Sequence, residues 1–175
     1  YIVIAIESGV QRVLDEVIDK KLKLEKVIEI ARICRKLKIE LYAYYVVGFP
    51  GETLKEVEET FVFARTMLVK YFLHPQVSIA APVWGSRLHE ICKEGGFFAD
   101  TVTPKRLGLA YDAQGRGLIR TEAFTPEDLK KLISKYNRQF AVIMALNVLR
   151  KPSKIFSYLK ILIRNPYLIR KAVFN

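Results

Sequence analysis

The residues of this chain whose types and spacing could do chemistry centre on one stretch, 41–53, LYAYYVVGFPGET. It reads as a buried strand that breaks at Gly48, turns through Pro50 and Gly51, and starts a helix at Thr53, with Thr53 and Glu56 at the spacing of a capping box. A parallel strand delivered into a glycine turn and then a helix N-terminus suits ligand binding. Backbone N–H groups and the helix dipole converge there, beyond the strand's carboxyl end. Gly48 and Gly51 permit positive φ or close approach of a ligand to bare backbone, and Pro50 stiffens the turn between them. Taken alone, the same pattern fits any strand-to-helix loop. The cysteines add nothing: Cys34 and Cys92 lie far apart on predicted helices, with neither a CxxC site nor a disulfide framework, and read as buried thiols in a reducing compartment. The GRG within DAQGRGLIR is too short to claim as a phosphate loop.

The elements that must position this turn follow from periodicity. Residues 1–6 are a continuous apolar run, as expected for a parallel strand covered on both faces. Ser8 can cap a short helix over 10–17. A longer helix over 24–37 carries Leu24, Val27, Ala31 and Cys34 on one stripe, with Lys20, Lys21, Lys23 and Lys26 solvating its start. A strand over 39–47 and a helix over 54–70 follow, the helix with Leu54, Val57, Phe61, Ala64 and Leu68 inward. A third strand over 76–81 runs through the turn APVWGS into a helix over 87–94, stopped by Gly95 and Gly96. The order βαβαβα with short loops predicts a parallel sheet or barrel segment. Three strands apolar on both faces would leave two hydrophobic edges in water, so further strands are expected before Tyr1. Residues 97–123 read as an irregular excursion. Thr125, Pro126, Glu127 and Asp128 then open a long helix whose one side holds Leu129, Leu132, Ile133, Tyr136, Phe140 and Ile143. Pro152 ends it, and short helices are expected over 153–164 and 166–174.

Composition sets outer limits. At 175 residues with 51% hydrophobic and 27% charged content, the chain can bury a core and is not of the disordered class. Its first residues lack a methionine, a basic leader and a cleavage site, and read as the middle of a longer polypeptide. The longest run without a formal charge, 71–86, contains Pro75, Pro82 and Gly85 and falls short of the ~20 apolar residues of a spanning helix. A cytoplasmic location is expected, with peripheral membrane contact as an alternative, because the net charge of +11 is unevenly spread. Residues 130–175 hold 11 basic side chains and no acidic one, against 18 of each sign before them.

Three segments read in order, IESGVQRVLDEVIDKKLKLEKVIEIARICRKLKIE, YYVVGFPGET and APVWGSRLHEI, resemble the latter half of the barrel in radical S-adenosylmethionine (SAM) enzymes. The similarity is greatest to the branch associated with an upstream cobalamin-binding domain, the BchE-like or "Fe-S oxidoreductase" group. The resemblance implies an α/β fold in which parallel βα units form half of a partial (β/α)6 barrel, strands four to six, over residues 1–96. An irregular connection (97–124) and a basic helical extension (125–175) complete the chain. It implies SAM across the carboxyl ends of the strands and, in the full-length parent, a 4Fe-4S cluster on a CxxxCxxC loop that is absent here, with cobalamin through an upstream domain. The partner expected first is the missing N-terminal half of the same polypeptide, then a small-molecule or lipid-like substrate and an anionic membrane surface. No specific nucleic acid is expected.

Carried over residue by residue, Glu7 and Ser8 match the pair at the end of strand four that faces the ribose or methionine part of SAM. Gly48, Phe49, Pro50, Gly51 and Glu52 match the turn on the adenine side, and Ala80, Ala81 and Pro82 match the end of strand six, where backbone groups meet the adenine. Ser8 can equally be a helix cap and Glu52 a helix N-terminal acid. Ala5, Val10, Lys38 and Trp84 depart from the family's usual glycine, serine, glycine and proline. His74 precedes strand six at the far end from the site, and His89 stands where the family often has tyrosine; both read as structural. The implied activity is that of an enzyme fragment from a protein that reductively cleaves SAM, incompetent alone. The competing reading is an interaction module in which the basic helices dock on an anionic surface.

Overall fold

Alternation along the central strand decides which way the sheet faces. In β2 (Leu41–Val47) the side chains of Leu41, Ala43, Tyr45 and Val47 are buried, whereas Tyr44 on the opposite face is exposed. The computed structural model describes residues 1–110 and 117–149. Within them, β1 (Ile2–Glu7), β2 and β3 (Leu73–Ile79) form a parallel sheet in the order β1-β2-β3. Helix α1 (Leu24–Leu37) links β1 to β2, α2 (Leu54–Tyr71) links β2 to β3, and α3 (Arg87–Glu94) follows β3. Helix α2 packs on β2 and β3, and α1 lies against α2. The inner side of α2 supplies Val57, Phe61, Ala64, Met67 and Leu68, all buried; each large side chain among them contributes about 1.5–3 kcal/mol on leaving water.

The α/β class with parallel βα units agrees with the sequence reading, and several details differ. Burial on both faces does not hold: among the described residues helices cover one face, and Tyr44 and Gln76 are exposed on the other. The third strand is Leu73–Ile79 rather than 76–81, so His74 lies inside it, stacked on Tyr42 at 5.0 Å. Pro75 is tolerated there because, among the described residues, β3 pairs only with β2, and a proline lacking its N–H can face an open edge. Residues 11–17 form a short helix, one residue shorter than expected, that is π-helical over Val13–Val17. The stretch read as an irregular, largely loop-like excursion contains α4 (Pro104–Ala110) and a bridge between Phe98 and Ile119.

Helix ends show how local signals were overruled or obeyed. Lys38 takes the left-handed position that ends α1, with φ of 58°, although it has no glycine's freedom; its N–H reaches the Arg35 carbonyl. Phe72 ends α2 in the same way, under the Arg35 guanidinium at 3.8 Å from its ring. Helix α5 (Pro126–Leu149) begins as predicted, Thr125 Oγ1 accepting from the Asp128 N–H and donating to the Asp128 carboxylate at 2.7 Å. Two units divide the chain, residues 1–138 and 139–175. In the first, α5 is fastened to α2 by Tyr136 stacked on Phe61 at 4.9 Å and by Lys135 on Glu58 at 2.7 Å. In the second, the described part is the continuation of α5 to Leu149. The DAQGRG segment up to Arg116, Pro152, the helices expected over 153–164 and 166–174 and most of the basic tail lie outside the described residues. No helix among the described residues is long and apolar enough to cross a membrane.

Candidate functional site

Parallel strands bring three loops to one end of the sheet, and the first of them begins with a bulge. Pairing runs from Ile2 with Leu41 to Ala5 with Tyr44, then Glu7 with Tyr45, so Ile6 is the extra residue. Glu7 adopts a φ of 71°, which costs a side-chain-bearing residue about 1–2 kcal/mol. Lys20 holds this strained end, its Nζ donating to the Ala5 carbonyl at 2.7 Å and to Glu7 Oε1 at 3.2 Å. It therefore does more than solvate the next helix. Ser8 is fully buried; its hydroxyl accepts from the Val10 N–H at 3.1 Å and lies 3.0 Å from Thr60 Oγ1. The Gly9 N–H also donates to Thr60 Oγ1, and a Cβ on Gly9 would stand 2.6 Å from Phe63 Cβ. Ser8 and Gly9 are thus docked on α2, while Glu7 keeps part of its carboxylate in solvent.

The second loop is the glycine turn. Its interior is filled by Glu52, 2% exposed, whose Oε2 accepts from the N–H groups of Gly48 and Phe49, each at 2.7 Å. Those two N–H groups, which the sequence suggested for a ligand, are satisfied from within the turn. Glu52 Oε1 is buried with no partner among the described residues. Burial pushes the Glu52 carboxyl up to about 7, against the opposing pull of the two N–H groups. Outside the turn, Glu56 and Thr53 form the predicted capping box, and Arg12 grips both Glu56 oxygens at 2.6 and 2.8 Å while donating to the Gly51 carbonyl at 2.9 Å. The bond from Arg12 holds Glu56 down at about 2. Gly48 (φ 90°) and Gly51 (φ 96°) both need glycine, and at Gly48 the close approach is made by Leu129 of α5, whose Cδ1 would be 2.6 Å from an added Cβ.

The third loop follows β3. The Ala80 N–H continues the ladder to the Val47 carbonyl at 2.9 Å. Pro82 is buried, and its carbonyl accepts from His89 Nδ1 at 3.2 Å; a carbonyl can only accept, so this contact places the proton on Nδ1. His89 in turn lies against Phe98, ring centroids 5.2 Å apart. Ala81 packs on Leu107 and Leu118, so the connection read as loop covers the end of β3. Ser86 caps α3 by accepting from the His89 N–H.

The strands therefore bring Glu7, Gly48–Glu52 and Ala80–Pro82 to the same end of one sheet. Sequence reasoning missed Arg12, Lys20, Thr60 and Leu129. Thr60 carried a signal: a hydroxyl three residues after Val57, on the apolar side of α2, needs a buried partner. No cluster of metal-ligating side chains exists among the described residues; Cys34 on α1 and Cys92 on α3 are both buried, and burial pushes the Cys92 thiol up to about 11.

With this geometry in view, comparison with known proteins gives two relatives. The chain is 31% identical over 143 residues to cytidylyl-2-hydroxyethylphosphonate methyltransferase of Streptomyces wedmorensis, covering 78% of this chain and 25% of that protein. It is 34% identical over 130 residues to an uncharacterized methyltransferase of Pyrococcus horikoshii, covering 74% and 26%. Both relatives are methyltransferases. The chain spans about a quarter of the length of each. No protein-family profile matches it.

Proposed function

We propose that this chain forms strands four to six of the barrel of a radical SAM methyltransferase and lines the SAM site of a longer enzyme. The observation that carries the reading is the shared end of the sheet. Glu7 pairs with Tyr45, Val47 with Ile79, and Ala80 bonds to Val47, so the three segments that resemble the family stand side by side where parallel strands place their sites. The methyltransferase names of both relatives support the reaction class.

In this site Glu7 accepts hydrogen bonds from the hydroxyls or the ammonium of SAM, and its partial exposure leaves it able to do so. Phe49, Pro50 and the backbone of Ala80, Ala81 and Pro82 line the adenine. Ser8, Gly48 and Glu52 act from behind, holding the loops in shape. SAM supplies the transferred methyl group. The described residues do not fit an iron-sulfur cluster, since two buried cysteines on separate helices cannot supply three thiolates. Cluster and cobalamin ligands would belong to other parts of the longer protein.

The test is equilibrium binding of SAM to the full-length protein. Glu7→Ala should weaken binding about tenfold, and Glu7→Gln, which keeps an acceptor, by less. Unchanged affinity in folded Glu7→Ala protein would remove Glu7 from the site.

A further inference from the structure

Between the glycine turn and α3 lies a half-open cavity of about 150 Å³ that shares Phe49 and Pro50 with the proposed adenine side, while Val17, Ile18, Arg87, Leu88 and Ile91 have no part in the SAM reading. Val17 and Ile18 wall it from the β1 side, Phe49 and Pro50 from the turn, Leu88 and Ile91 from α3, with Arg87 at its rim. Two features set it apart from an ordinary surface dent. Its walls are mostly apolar, and its volume is that of a cavity able to hold a benzene ring. Arg87 makes no hydrogen bond or ion pair among the described residues. The Arg87 charge is felt at Asp19, but that carboxylate is already bonded to Lys21 at 2.8 Å.

We propose that this cavity takes the ring-sized apolar part of an anionic substrate, with the Arg87 guanidinium holding its carboxylate or phosphate-type head. A guanidinium matches such heads with two parallel N–H donors and is weakly hydrated, so an open position beside apolar walls suits it. Phe49 and Pro50 belong both to this cavity and to the turn at the end of β2, so the ligand lies beside the methyl donor's end of the sheet. The assignment as substrate rather than cofactor rests on the proposed SAM reading.

The experiment is calorimetric titration of the full-length protein with phenyl phosphate, benzoate and benzyl alcohol, each with and without saturating SAM. Phenyl phosphate or benzoate should bind with Kd on the order of 1 mM or tighter, and benzyl alcohol more weakly. Whichever anion binds better identifies the head. Arg87→Met should weaken the anions about tenfold and leave benzyl alcohol and SAM unchanged, while Arg87→Lys recovers part of the loss. Ile91→Trp, at a partly exposed position, should fill the cavity and weaken all three probes with Tm unchanged. Absence of saturable binding, equal binding by Arg87→Met, or an Ile91→Trp protein that binds as well as wild type would overturn the proposal. Displacement of the probes by SAM, or loss of SAM affinity in Arg87→Met, would give the cavity to the cofactor and overturn the substrate assignment while leaving the SAM reading intact. If SAM does not bind at all but the anions do, the SAM reading fails and the anion site stands.

Discussion

Replacing Glu52 by glutamine should flatten the stability of the protein between pH 5 and 8. In the folded chain the Glu52 carboxyl sits 2% exposed inside the glycine turn, one oxygen on two backbone N–H groups and the other without a partner among the described residues. Burial raises it from 4.5 to about 7. A group raised on folding binds more protons in the folded than in the unfolded state between those two values, so stability falls as pH rises through that window and levels off above it. Carrying one carboxyl from 4.5 to about 7 corresponds to about 3 kcal/mol, reduced in so far as the turn relaxes and admits water. Glu56, held at about 2, acts in the opposite sense, but its contribution is lost only as pH falls below 4.5. Urea unfolding at several pH values from 5 to 8 reads the effect directly. Wild type should lose about 2–3 kcal/mol across this range, and Glu52→Gln should lose markedly less, because its amide still accepts from Gly48 and Phe49 and does not titrate. A wild-type profile as flat as that of the variant would show that the carboxylate is solvated and that the unpartnered oxygen has a donor.

Other outcomes follow from the same contacts. Gly48→Ala combines a φ of 90° with a 2.6 Å clash against Leu129, and should cost about 2–4 kcal/mol in chemical unfolding; adding Leu129→Ala should relieve the clash but not the strain, so the double variant loses less than the sum of the two singles. Thr60→Val leaves the Gly9 N–H unpaired and Ser8→Ala leaves the Val10 N–H unpaired, so each should cost about 1–3 kcal/mol in chemical unfolding, and because the two hydroxyls share a bond the double variant should lose less than the sum of the singles. Arg12→Met should let the Glu56 carboxyl rise from about 2 toward its usual 4.5, followed by carbon NMR of the side-chain carboxyls during an acid titration; a Glu56 that stays low would show that the Thr53 cap suffices.

Local chemistry makes most of the elements legible in the sequence alone. The capping box at Thr53 and Glu56, the Thr125–Pro126 helix start and the apolar stripe of α2 are properties of neighbouring residues, and such signals act whatever the rest of the chain does. The ends of β3 are less legible because Pro75 is a breaker in a central strand and harmless at an edge, and edge position is set by how strands order in space. The helix within the connection is hidden by glycines whose effect on a short segment depends on packing. At the site the sequence shows which residues could serve, and tertiary structure decides what they do. Gly48 reads as room for a ligand but faces Leu129, 81 residues away; Ser8 reads as a helix cap but meets Thr60; Lys20 reads as a solvated charge but clamps Glu7. Each depends on a partner from another element, and a lone polar or bare position carries no record of which element will reach it. The unpartnered oxygen of Glu52 is of the same kind, since the sequence supplies an acid and only the closed turn removes it from water.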